Sequence, residues 1–160
     1  MSMKNQQWYV TVSFIVVIMI ITMFIRIPLP SGGYFNFGDV AVVFAGLLLG
    51  KTGGLIAGGV GSALADILGG FAVFSPLTFV AKGAEGILSG YAKNKKGLTS
   101  WIFPLIGVLL MVLIYFIGES LMPSIKFEGA ILELIPNLIQ AIGGLVGGKI
   151  LFEIYNRVAD

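Results

Sequence analysis

Three residues stand inside apolar stretches where a charge is costly: Asp66, Lys82 and Glu85. At the centre of a membrane helix an ionisable side chain costs about 2.5–3.5 kcal/mol on insertion scales, so each is a functional candidate by default. Lys82 and Glu85 are three apart and share a helical face. Two chemistries fit the trio. It forms a self-neutralising network that fixes the helices, or some of its members bind a polar solute. Further on, Glu133, Asn137 and Gln140 fall at i, i+4 and i+7, a single stripe of an α-helix. Amides that donate and accept, beside a cation and carboxylates, suit a neutral heteroaromatic solute. The competing use of those amides is hydrogen bonding between helices, about 0.6 kcal/mol each on average. Tyr34-Phe-Asn-Phe-Gly-Asp39 adds a third group. Tyr34, Asn36 and Phe37 suit a lid that stacks on a planar ligand, and the aromatics also suit membrane-interface anchors. Asp39 reads most simply as the N-cap of the helix that follows.

The elements that must position these groups are membrane helices. Only 11% of the 160 residues are charged and 57% are hydrophobic, against about 25% charged in a soluble domain. Mean hydropathy is +0.98. Disorder, coiled coil and a water-soluble α/β enzyme are excluded. A net charge of +2 is too small for a nucleic-acid binder with a basic face. The chain has no cysteine and no histidine, so disulfides, the usual zinc and haem sites, thiol nucleophiles and Ser-His triads are out, and no metal or cofactor is expected.

Trp8 to Ile25 is free of charge and long enough to cross a bilayer that needs about 20 residues. Without a small-residue cleavage site it reads as a retained helix. Arg26-Ile-Pro-Leu-Pro-Ser-Gly-Gly-Tyr34 cannot be helical with that proline and glycine content. Five more segments follow, giving approximate helices at 8–25, 39–50, 53–70, 77–92, 101–118 and 130–152. The second is short for a span. The expectation is an all-α six-helix bundle, residues 1–160 forming one integral membrane domain. With both termini inside, the inner segments hold Lys4, Lys51, Lys93, Lys95, Lys96, Lys149 and Arg157, and the outer loops hold Arg26 and Lys126. That asymmetry satisfies the positive-inside rule. Asp66 and Lys82 then lie at similar depth, roughly 6–10 Å below the outer boundary, and Asn137 and Gln140 roughly 10–15 Å below it. Gly54/Gly58/Ser62 on the third helix, and Gly143/Gly147 with Gly144/Gly148 on the sixth, are stripes for close helix packing. They serve the bundle's interior or dock another membrane protein.

The ordered set Tyr34-Phe-Asn-Phe-Gly-Asp39, Gly58-Gly-Val-Gly-Ser-Ala-Leu-Ala-Asp66, Ser75-Pro-Leu-Thr-Phe-Val-Ala-Lys82-Gly-Ala-Glu85-Gly and Pro136-Asn137-Leu-Ile-Gln140 resembles a known family over nearly the whole chain. It is similar to the substrate-specific S components of energy-coupling factor (ECF) vitamin transporters, in the riboflavin, hydroxymethylpyrimidine and pyridoxine branch. The resemblance implies a six-helix vitamin-binding protein of the cell membrane with cytoplasmic termini. It also implies an outer pocket roofed by the loop after the first helix, and partners in the form of a transmembrane coupling subunit and two ATPase subunits. No Walker-type phosphate loop is present, so this chain should not hydrolyse ATP. One departure concerns docking. Many S components carry Ala-x-x-x-Ala on the first helix, and here that helix reads Val10-Thr-Val-Ser-Phe-Ile-Val-Val17, which leaves the glycine stripes to contribute.

The expected ligand is small and heteroaromatic, of the hydroxymethylpyrimidine or pyridoxine kind, with riboflavin as the alternative. Tyr34, Asn36, Phe37, Lys82, Glu85, Asn137 and Gln140 are the expected binding residues, with Asp39 and Asp66 structural. Two other classes stand beside this reading. One is a membrane enzyme using Asp66, Glu85 or Glu119 as acid or base, which lacks a nucleophile or metal constellation. The other is a self-sufficient carrier or channel, for which no inverted repeat is visible.

Overall fold

Glycine ends two of the helices, while Pro104 and Pro136 lie inside the last two without ending them. The computed structural model describes residues 3–29 and 32–159, with side chains from residue 5 onward. Pro30 and Ser31 of the non-helical loop, and the side chain of Lys4, lie outside the described residues. Helix α1 runs Met3–Phe24, followed by strands β1 (Arg26–Pro28) and β2 (Tyr34–Asn36), then α2 (Gly38–Leu49), α3 (Lys51–Gly69), α4 (Ser75–Tyr91), α5 (Thr99–Leu121) and α6 (Lys126–Ala159). Gly50, at φ +83°, separates α2 from α3, and Gly70, at φ +88° in the left-handed region, ends α3 with its N–H on the Asp66 carbonyl. An L side chain resists both conformations. Pro76 stands in the first turn of α4, where its missing N–H costs nothing.

The segment after α1 is not helical. It folds back as an antiparallel hairpin that pairs Arg26 with Asn36, Ile27 with Phe35 and Pro28 with Tyr34. The helices run past the charge-free stretches at several ends, most of all α6, which extends from Lys126 to Ala159.

The helices close a ring in the order α1, α3, α4, α5, α6, α2, back to α1. Short α2 also touches α3 and α4 across that ring, and nine of its twelve residues are buried. At about 1.5 Å per residue α2 is roughly 18 Å long, well short of a bilayer's ~30 Å hydrocarbon core. One apolar cluster on its α4–α5–α6 side includes Val43, Leu47, Ala81, Met111 and Val112. A second, toward α1 and α3, includes Ile18, Val42, Ala45 and Ala57.

The glycine stripes resolve into internal packing. A Cβ on Gly54 would overlap the Gly86 carbonyl, and one on Gly86 would overlap the Gly54 carbonyl, so α3 and α4 meet backbone to backbone. Gly144 and Gly148 seat α6 on Asp39 and Val43 of α2. Gly143 alone of the α6 stripe has open space around it.

Polarity is inverted relative to a soluble protein. Val12, Val16 and Ile20 of α1, Leu105, Leu109 and Leu113 of α5, and Ile135, Ile139 and Ile142 of α6 are exposed, while Asp39, Asp66, Lys82, Glu85, Glu119 and Glu133 are buried. Among the described residues, α1, α3, α5 and α6 are long and apolar enough to cross a membrane. The chain is an all-α membrane bundle.

Candidate binding site

At the hairpin end of the bundle the buried polar residues surround a cavity. Its wall is made by Thr22 of α1, Gly33, Tyr34 and Asn36 of the hairpin, Ser62 of α3, Phe74, Thr78 and Lys82 at and in α4, Tyr115 and Glu119 of α5, and Glu133, Asn137 and Gln140 of α6. From α4, α5 and α6 the contributors include pairs one turn apart: Thr78 with Lys82, Tyr115 with Glu119, Glu133 with Asn137. Each of these three helices therefore aims a polar stripe inward.

The hairpin is fastened over this cavity by its polar groups. The Tyr34 hydroxyl donates to Asp66, which is fully buried. Burial, then the Asp66 carboxylate, push the Tyr34 phenol far above its ordinary range, so it remains a donor. The Phe71 ring stands 4.7 Å from that of Tyr34, and the Arg26 guanidinium lies 5.0 Å from the Phe71 centroid. On the other flank, Gly33 N–H donates to Glu133 at 3.1 Å, and both the backbone N–H and the side-chain amide of Asn36 donate to Gln140 Oε1. Gln140 Nε2 donates in turn to Asn137 Oδ1 at 3.1 Å, and Asn36 Oδ1 accepts from Gly38 N–H at 2.6 Å. Below them Lys82 forms an ion pair with Asp39 and lies 3.6 Å from Glu85. The Tyr115 ring faces its ammonium at 5.6 Å and donates its hydroxyl to Thr78.

Of the expected binding residues, Tyr34, Asn36, Lys82, Asn137 and Gln140 meet on one wall, and two do not. Phe37 is about half exposed and packs edge-on against Phe35 at 5.3 Å. Glu85 is fully buried beneath the wall as a partner of Lys82. Both structural acids take partners other than the expected ones. Asp39 is not the N-cap of α2: Phe37 takes that position without a side-chain cap, and Asp39, inside the first turn, neutralises Lys82. An unpaired buried ammonium is worse than an uncapped helix end, so the carboxylate goes to the lysine. The buried network is accordingly Asp39–Lys82–Glu85, and Asp66 instead holds Tyr34.

Sequence reasoning missed Thr22, Ser62, Phe74, Thr78 and Tyr115, and gave Glu119 only an acid–base role. The signal for three of them was present: Ser62, Thr78 and Tyr115 each precede an ionisable residue, Asp66, Lys82 and Glu119, by one helical turn. The assembled wall offers hydrogen-bond donors, acceptors and the rings of Phe74 and Tyr115. It has no group of metal ligands among the described residues. Its free volume is only about 30 Å³, whereas sites for organic ligands usually span about 300–1,000 Å³. The hairpin must lift, or the wall spread, before a ring enters.

Fold and site together define a class: a membrane-embedded binding protein with its polar groups turned inward on one end. The family model for the ECF-type riboflavin transporter S component matches residues 6–157. The chain belongs to that family. It is the substrate-binding component of an ECF transporter, a multi-pass cell-membrane protein that works with ECF module components on a small vitamin substrate, and it is not an enzyme. A Pyrococcus woesei protein described as "Uncharacterized protein in gap 3'region" is 36% identical over 141 residues, which cover 86% of this chain and 93% of the relative.

Proposed function

We propose that this chain, acting as a single binding domain, captures a small heteroaromatic vitamin or precursor outside the cell, of the hydroxymethylpyrimidine or pyridoxine kind. The observation that carries the reading is the meeting of Tyr34, Asn36, Lys82, Asn137 and Gln140 on one cavity wall beside Phe74 and Tyr115. Amides and hydroxyls on the wall match ring nitrogens and exocyclic hydroxyls, and the two rings give a planar ligand apolar surface to pack on. In the proposed orientation both termini are cytoplasmic and the hairpin faces outward, as the lysine asymmetry requires. The hairpin then serves as the roof. Ligand entry exchanges the Gly33–Glu133 and Asn36–Gln140 bonds for bonds to solute and water.

Riboflavin remains the second reading, because the description of the matching family names it. On either reading the partners are a transmembrane coupling subunit and two ATPases, and the bundle tips in the membrane to release its ligand inside. Calorimetry on the purified chain, titrated with hydroxymethylpyrimidine, pyridoxine, thiamine and riboflavin without ATP, tests the proposal. Saturable binding of one single-ring compound per chain is expected. Binding of riboflavin alone would select the second reading, and no binding by any of them would overturn both.

A further inference from the structure

Glu119 is 4% exposed, it lines the cavity from α5, and its Oε2 makes no hydrogen bond among the described residues. The other acids at this end are committed. Asp39 and Glu85 serve Lys82, Asp66 accepts from Tyr34, and Glu133 accepts from Gly33. The buried or half-buried cations there are Lys82 and Arg26. Lys82 is taken by Asp39 and Glu85, and Arg26 lies over the rings of Tyr34 and Phe71. Five carboxyl groups therefore face two cations. Oxygens of Asp39, Asp66 and Glu85 are also without a hydrogen bond among the described residues, but those carboxyls do not line the cavity, and Glu119 Oε2 does. The Thr22 and Ser62 hydroxyls on the same wall are open too, and a buried carboxyl acceptor left open beside them is aimed at something that enters.

We propose that Glu119 is the specificity-determining residue of this cavity and that it selects heteroaromatic ligands bearing a basic amino group. The inference rests on the small-ring reading above and narrows it. An aminopyrimidine presents its exocyclic amino N–H to the carboxylate as a charge-assisted hydrogen bond. An aminomethyl pyridine presents an ammonium. The ammonium adds a positive charge to a cavity whose one lining lysine is already held by Asp39 and Glu85. Asn137 and Gln140, on the same cavity's lining, remain for the ring's oxygen substituents. A ligand with a hydroxyl or carbonyl in place of the amine brings no such charge and leaves the Glu119 oxygen poorly satisfied, a mismatch that polar sites reject strongly.

The experiment compares two matched pairs by calorimetry on the purified full chain at neutral pH. The first is the aminopyrimidine form of hydroxymethylpyrimidine against its oxo counterpart, and the second is pyridoxamine against pyridoxine. In at least one pair the amine should bind roughly ten-fold tighter or better, equivalent to about 1.4 kcal/mol. Glu119→Gln, which keeps the shape and loses the charge, should cut that preference to below about three-fold. Glu128→Gln, at the exposed start of α6, should leave it unchanged. Thermal unfolding of the ligand-free variants verifies that each is folded before its preference is read. Equal affinity within each pair, or a preference untouched by Glu119→Gln, would overturn the inference while the small-ring reading stands. Riboflavin bound with neither pair bound would overturn both.

Discussion

At the residue scale, the ionisable groups of the site were legible because a charge in an apolar helix is conspicuous in any sequence. Their partners were not. Asp66 and Lys82 share a depth by residue counting, but which way each helix face points is set by rotation about its axis, which counting leaves open. The structure turns Asp66 toward the hairpin and brings Asp39, 43 positions away in sequence, onto Lys82. The consequence is measurable. Lys82→Met leaves Asp39 and Glu85 buried without their cation, and losing one member of a buried pair costs about 3–5 kcal/mol. Lys95 is exposed, and Lys95→Met should change stability by no more than about 0.5 kcal/mol. Thermal unfolding and vitamin titration of the two variants should separate clearly, with Lys82→Met the damaged one in both. Indistinguishable variants would mean that Lys82 reaches water.

At the element scale, six helical segments follow from hydropathy and from glycine and proline punctuation. The hairpin does not. Two three-residue strands carry no alternation worth reading, and what holds them is a set of bonds to α3 and α6 that only the tertiary fold creates. The small-residue stripes were legible as packing surfaces without a direction, since spacing marks a face and not its partner. In the structure Gly144 bears on Asp39 of α2 and Gly143 bears on nothing. Gly144→Leu should therefore push α6 off α2, disturb the Asp39–Lys82 pair and abolish vitamin binding. Gly143→Leu should leave binding by the isolated chain intact. In the complete transporter we expect Gly143→Leu to abolish uptake, because this open glycine offers close approach to a coupling subunit. Uptake retained by Gly143→Leu would shift docking to α1, whose exposed apolar face includes Val12, Val16 and Ile20.

At the scale of the whole molecule, the inside-out polarity was fully legible, since a chain with so little charge cannot cover itself for water. The cavity was legible only as a shared depth, because a wall drawn from five helices and a hairpin is a property of their closure into a ring. That ring is not uniformly held. Where Gly54 and Gly86 meet, α3 and α4 have no side chains between them to repack, whereas the hairpin is tied down by a few hydrogen bonds. The molecule should therefore run on two clocks. Amide hydrogens along the α3–α4 seam should be among the last to exchange with deuterium, near the limit set by global unfolding. Those of Gly33 and Asn36, each donated to an α6 side chain, should exchange orders of magnitude sooner through local opening. A bound vitamin should slow both clocks by about its saturation factor, because global unfolding and opening of the roof each release it, and the gap between the two should persist. Exchange followed by mass spectrometry, with and without ligand, reads both at once. Uniform exchange across seam and hairpin would mean that the roof opens only when the whole bundle does.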